Sequence, residues 1–507
     1  MTIGIWVLGD QLWNEQSALH SCQQNYQNTP VILIESLTYV QQRRYHRQKL
    51  VFIWSAMRHF AEELRQQGWP VSYETADDFE TPLQAWVTKN TITELQVMTP
   101  NDRPFAEIIG NLKLTCKITF IPNNHFLWSE SDFKTWAKSQ KRLILENFYR
   151  VGRKRFNCLM TGNQPIGGKW NFDKQNRKPP KRNLNPPDAL WFEPDPITQE
   201  VINSVNAQNF PTYGKTEPFR WAVNRHQALQ VLDFFIHHRL PNFGPYQDAM
   251  VTNEDTMWHS LISPYLNIGL LQPEEVIKAV ENAYHQNQLD LSSTEGFIRQ
   301  VLGWREYMHG IYIYMNPDYS QSNWFNHTQP LPDFYWHAEK TDMNCLLQIL
   351  SQVERTGYAH HIQRLMVLSN FALIVGVSPQ SIEEWFHGAF IDAYDWVMQT
   401  NVIGMGQFAD GGILASKPYA ASANYINKMS DYCSSCAYNP RKRTGEGACP
   451  FNFLYWDFLC RHRDQLKALG RMSLVLSHID KISDQDIQQI RQEALRWRSD
   501  NIPEHTT

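Results

Sequence analysis

Short apolar runs alternate with helical periodicity over the first quarter of the chain, and then helical periodicity takes over alone. The runs IGIWVLG, PVILIES, PVSYET, LQVMTP and KITFIPN are brief and rich in Val, Ile, Tyr and Phe. Gly, Pro, Asn or Asp bounds each of them, as expected of strands. VFIWSAMRHFAEELRQQG sets Phe52, Met57, Phe60 and Leu64 near helical spacing and stops at Gly68 and Pro70, so it reads as an amphipathic helix. Strand–helix alternation of this kind predicts an α/β domain over residues 1–125, built on a Rossmann-like parallel sheet. Ligands on such sheets sit beyond the carboxyl ends of the strands, which points to the loops starting at Gly9, Glu35 and Pro100. No GxGxxG is present, so a dinucleotide fingerprint is excluded.

From about residue 216 the pattern is helical throughout, in RHQALQVLDFFIHHRL, STEGFIRQVLGWREYMHGIYIYM, AHHIQRLMVLSNFALIVG and SIEEWFHGAFIDAYDWVM among others. An all-α domain over 216–507 follows. Residues 126–215 read as a connector whose second half, KQNRKPPKRNLNPPDALWFEPDP, is irregular and rich in Pro, Asn and charge.

The chain of 507 residues carries a formal net charge of −4. Charge changes the picture only locally: Lys141 to Arg182 holds twelve Lys and Arg against Glu146 and Asp173. With Phe148, Tyr149, Phe156, Trp170 and Phe172 interleaved, this stretch fits a nucleic-acid surface or a solvated interdomain face. No apolar run is long enough for a membrane span, and the N-terminus enters a strand without a basic leader, so a cytoplasmic monomer is expected.

Three of the eight cysteines cluster: Cys433 and Cys436 are two residues apart, and Cys449 follows a basic loop. In a reducing compartment such thiols are metal ligands more often than disulfides. Softness alone suits zinc and iron–sulfur equally. Cys345, at the start of a helix, is the best fourth ligand, with Cys460 behind it. His360 and His361 are adjacent at a helix start and point about 100° apart, so one faces a pocket as a general acid while the other caps or packs. The loop after Met398 carries Asn401, Gly404, Gly406 and Gln407, which suit close approach to a heteroaromatic ring. Trp258, His259 and Ser260, and the charged group Arg299, Trp304, Arg305 and Glu306, add polar functions to otherwise apolar helices.

Taken together, VLGDQL, GGKWNFDKQNRKP, WREYMHG, AHHIQRLMVLSNFAL, NVIGMGQFADGG and CxxC…CPF resemble the iron–sulfur bacterial cryptochromes and photolyases, the prokaryotic (6-4) photolyase group. The resemblance spans nearly the whole chain. It implies FAD in the helical domain, a [4Fe–4S] cluster on Cys345, Cys433, Cys436 and Cys449, and a 6,7-dimethyl-8-ribityllumazine antenna in the α/β domain. It implies light-driven repair of (6-4) photoproducts in UV-damaged DNA, with His360 and His361 as the active-site pair. A blue-light photoreceptor without repair is the alternative, and a zinc-stabilised nucleic-acid-binding module is the reading without the resemblance. Implied flavin contacts are Phe243, Gly244, Met250, Trp258, His259, Ser260, Trp304, Arg305, Asp392 and Asn401; antenna contacts are Gly9, Asp10, Gln11, Glu35 and Lys49. Trp385 and Trp336 match electron-supply positions, and Lys174, Arg177, Lys178, Lys181 and Arg182 would hold the DNA strand. Two positions depart from the group: Phe386 stands where a tyrosine is frequent, and Met398 where an acidic residue is expected beside the flavin.

Overall fold

The computed structural model describes residues 2–180, 184–286 and 289–502. The five anticipated strands form one parallel sheet: β1 (Ile3–Trp6), β2 (Val31–Ser36), β3 (Val71–Ala76), β4 (Glu94–Met98) and β5 (Lys117–Ile121), in the order β3-β2-β1-β4-β5. Every residue of β2 is buried, as a central parallel strand requires. The order reverses between β1 and β4, and the crevice at their carboxyl ends is where such sheets take ligands.

The amphipathic helix runs Arg47–Gln66, four residues earlier at its start than the periodicity indicates. His46 caps it: an imidazole nitrogen accepts from the Gln48 backbone N–H at 3.1 Å. Its other nitrogen lies 3.0 Å from the Glu354 carbonyl in the helical region, so one side chain both starts the helix and joins the two regions.

Beyond the sheet, the connector contributes a basic helix, Leu145–Arg155, and a helix at Pro196–Ala207. Among the described residues after residue 216 there are helices, turns, irregular segments and isolated bridges, and no strand. Four stretches widen into π-helical turns: Phe235–Arg239, Arg299–Arg305, Gln363–Ser369 and Gln399–Gly406. Three of these four lie within or beside the segments expected to meet a flavin, in keeping with the concentration of π-turns at functional sites. Among the described residues no helix is long and apolar enough to cross a membrane.

The sheet and helical regions are clasped by buried polar contacts. The Lys49 ammonium donates to the carbonyls of His387 (3.2 Å) and Ala393 (2.6 Å). The Asp102 carboxylate accepts the backbone N–H groups of Asp395 and Trp396, each at 3.0 Å. Gly388 is glycine because the Arg44 backbone oxygen would stand 2.6 Å from a Cβ there, and its own carbonyl accepts from His46 N–H at 2.8 Å.

Burial pushes the His46 imidazole down to about 4 and that of His125 to about 3, from 6.5. The unfolded chain therefore takes up these protons below about pH 6.5, while the folded chain does so only near pH 3–4. Stability is present above pH 6.5 and falls as pH drops toward 4, by about 1.4 kcal/mol per pH unit for each such histidine. The melting temperature at pH 5, followed by circular dichroism, should lie several degrees below that at pH 7.5. An unchanged value would show that these imidazoles are protonated in the native state.

Candidate active site

The histidine pair opens a helix, with His360 as its N-cap. Gln363, three residues on, reaches back so that its Oε1 accepts the His360 N–H at 3.0 Å, one half of a capping box. The same amide donates from Nε2 to Gln352 Oε1 (3.0 Å) and to the Tyr432 hydroxyl (3.3 Å). His360 is buried, and neither of its ring nitrogens has a partner. The His259 ring stacks on it at 4.4 Å and 10°, with an unpartnered Nε2 of its own. Phe243 meets His259 edge-on at 5.6 Å.

Burial drives His259 down to about 3 and His360 well below the ordinary imidazole value, so both are neutral. The His361 side chain next to this stack is exposed to solvent. Desolvation by the surrounding protein first and the Arg364 charge second lower its imidazole to about 4. Arg364 forms a two-point pair with Asp392 (2.8 and 3.1 Å) and covers the Phe390 ring at 4.0 Å. Burial works to raise the Asp392 carboxyl, but Arg364 and the Ser263 hydroxyl (2.7 Å) outweigh it and keep the group ionised.

Of the expected flavin contacts, the structure thus gathers Phe243, His259 and Asp392 around the histidine pair. Others have different partners. A Cβ on Gly244 would meet Ser293 Oγ at 2.6 Å and Asn176 Oδ1 at 3.0 Å, so this glycine admits the connector loop. Met250 donates its N–H to the Met429 carbonyl and sits in the core beside the cysteine region. Trp258 stacks on Tyr246 at 5.1 Å, and Ser260 is half-buried. Trp304 packs toward Tyr307. Arg305 pairs with Glu306 at 3.1 Å and lies over Phe126. Asn401 turns back to the Val397 carbonyl. Sequence reasoning missed Arg364 and Ser263; the signal for the first was an arginine one turn after the histidines.

Cys345, Cys433, Cys436 and Cys449 line one small apolar cavity with Met343, Ile426, Tyr432 and Phe451. No three of their sulfurs lie within 4.8 Å of one another. A single tetrahedral zinc with Zn–S of about 2.3 Å needs its sulfurs about 3.8 Å apart, a tighter set than these thiols form. Cys460 lies outside this cavity.

The crevice at the sheet switch point is a cavity of about 140 Å³. Gly9, Asp10 and Lys49 line it, together with Tyr39, Asp102, His387, Tyr394 and an aromatic wall of Trp6, Phe79 and Phe105. Burial raises Asp10 to about 6 and lowers Lys49 to about 7. Glu35 and Gln11 do not line the cavity. The Glu35 carboxylate is engaged by Arg58, Tyr73 and Thr75, and Gln11 donates to the Met98 carbonyl at 2.9 Å.

A family model described as deoxyribodipyrimidine photo-lyase-related protein matches residues 5–221. A protein named (6-4) photolyase from Agrobacterium fabrum is 44% identical over 477 residues, covering 92% of this chain and 94% of that protein. The chain belongs to the (6-4) photolyase family. Two solved structures share its fold: a class III photolyase from Agrobacterium tumefaciens (TM-score 0.56, 16% identity, 84% of this chain and 86% of that one) and a cryptochrome from Synechocystis (TM-score 0.54, 15% identity, 80% and 82%).

Membership of the photolyase family implies FAD and a DNA substrate. The unpartnered nitrogens of His259 and His360, beside the ionised Arg364–Asp392 pair, fit a ligand rich in hydrogen-bonding groups. The two tryptophans expected to supply electrons are adjacent: the Trp385 and Trp336 rings are 6.4 Å apart. Phe386 is buried against Phe390, and Met398 is in the apolar core. The Arg44 guanidinium covers the Trp336 ring at 4.5 Å. Lys174, Arg177 and Lys178 are exposed on a loop whose Asn176 is buried and donates to the Ser292 carbonyl. Lys181 and Arg182 lie outside the described residues.

Replacing Gln363 by Leu removes the acceptor of His360 N–H and the donor to Gln352 and Tyr432. The loss should be about 1–3 kcal/mol of stability, read in a denaturant titration. A midpoint equal to wild type would mean that this amide carries no structural load.

Proposed function

We propose that this protein repairs (6-4) photoproducts in DNA by light-driven electron transfer, with His361 as the proton donor and His360 as the residue that positions it. The solvent-exposed His361 beside the buried, unpartnered His360 and its stacked His259 is the observation that carries this reading. FAD, when bound, supplies the photoexcited electron. His259 and His360 offer it, or the lesion, unpaired ring nitrogens; Asp392 and Arg364 fix the opposite wall.

In the free protein His361 is neutral above about pH 4. A flipped-out nucleotide brings phosphate near His361, and that negative charge favours the imidazolium. The acid then exists chiefly when substrate is present. Lys174, Arg177 and Lys178 stand where a strand can be held by its phosphates.

The sulfur spacing supports a [4Fe–4S] cluster over zinc at Cys345, Cys433, Cys436 and Cys449, with a structural role in closing the C-terminal segment onto the helix Asn344–Thr356. The sheet cavity, with its aromatic wall and its Asp10, Asp102 and Lys49, suits a flat polar antenna such as 6,7-dimethyl-8-ribityllumazine.

His361→Ala is expected to keep FAD and lose at least about a hundredfold in single-turnover repair of a (6-4) oligonucleotide under blue light. Repair at the wild-type rate would move the acid elsewhere. The wild-type rate should rise as pH is lowered toward the apparent value of the His361–substrate complex. Cys436→Ala should lose its iron, measured against flavin content. Full iron with unchanged absorbance would remove this cysteine from the ligand set.

A further inference from the structure

A second group of potential ligands lies away from both the cysteines and the histidine pair, where the helical region meets the sheet. Glu383 and His387 are one turn apart on the helix Pro379–Ala389, and Asp395 opens the next helix, Asp395–Met398. One carboxylate oxygen from each acid and one ring nitrogen of His387 all lie within 4.8 Å of one another, and all three residues are buried. Ligands at about 2.0–2.2 Å from one first-row ion stand about 3–4 Å apart, so only a small closure is required.

Two features say that this convergence is incomplete as it stands. Glu383 Oε1 and His387 Nδ1 have no hydrogen-bond partner, although the two residues are only 8% and 7% exposed. The third acid is held in place from behind: Asp395 Oδ2 accepts from the Tyr312 hydroxyl (3.1 Å) and the Gln399 amide (2.9 Å). The Asp395 carboxylate thus has outer-sphere support of the kind metal-binding carboxylates have. Two cations border the group. Arg43 pairs with Glu384 and is 4.0 Å from Asp395, and the Lys49 ammonium donates to two carbonyls. Asp102, Glu383 and Asp395 lie around Arg43 and Lys49, with Glu384 exposed at the edge of the group.

We propose that Glu383, His387 and Asp395 form a binding site for one divalent first-row metal ion, with Zn²⁺ the preferred occupant. The ligand set of one imidazole and two carboxylates suits this class of ion, and Zn²⁺ outranks Mn²⁺ at such sites. Three protein ligands leave a coordination position for water. His387 also lines the sheet cavity, so the ion would stand at the wall of that cavity and tie the helix Pro379–Ala389 to the segment that Asp102 holds. The proposal is independent of the repair reading.

The test uses full-length protein with its native cofactors, stripped of loosely bound metal by dialysis against chelator and then titrated with Zn²⁺ alone by calorimetry. Iron, zinc and flavin are measured on the same samples. One Zn²⁺ per chain should bind, and Glu383→Gln and His387→Gln should each weaken binding about 10- to 100-fold with iron and flavin contents unchanged. Absence of a zinc-binding isotherm, or equal affinity in both variants, overturns the site. Should either variant lose flavin or iron, anomalous scattering at the zinc edge from wild-type crystals decides. A peak between the three side chains supports the site, and a peak elsewhere or none overturns it.

Discussion

A single side-chain amide holds the candidate active site to the rest of the helical domain. Gln363 has one oxygen and two N–H groups to offer, and all are spent: on the His360 backbone, on Gln352 and on Tyr432. Tyr432 directly precedes Cys433 and lines the cysteine cavity. The orientation of the histidines and the position of the cysteine segment are therefore set by the same group. An apolar residue would fill the space and leave three buried polar atoms unmatched. The dense apolar packing around it, from Leu346 and Ile349 to Phe371 and Phe451, makes the domain rigid but does not choose this arrangement over another.

Charge in the molecule is arranged in pairs wherever the chemistry would suffer from a loose one. Arg364 is matched by Asp392, and Arg299 by Asp173 and Glu295. Arg44 lies over the Trp336 indole, so a positive charge on that ring would sit against a guanidinium. Trp336 and Trp385 each also touch a tyrosine, Tyr213 and Tyr335, whereas Phe386 packs on Phe390.

Much of the fold was legible because strand and helix periods are local properties. The five strands and the cysteine spacing are of this kind, and so is the placement of His360 at a helix start. Several expected contacts have partners within the chain that the sequence does not show. Glu35 sits opposite Thr75 in the parallel register of β2 and β3, and strand register is not written in either segment alone. Gly244 abuts Asn176, a contact between residues far apart in sequence. Trp304 and Asn401 lie inside π-helical turns, which local periodicity does not reveal. Arg364 and Asp392, 28 positions apart, became a pair only through the tertiary fold.

The two carbonyls that receive the Lys49 ammonium belong to His387 and Ala393, on either side of a helix break. A cation buried between the two layers in this way cannot be exchanged for water without a large desolvation change. Bending across this boundary would strip the ammonium of both acceptors with no water to replace them, so the stretch between the two helices is held to the sheet by one buried side chain.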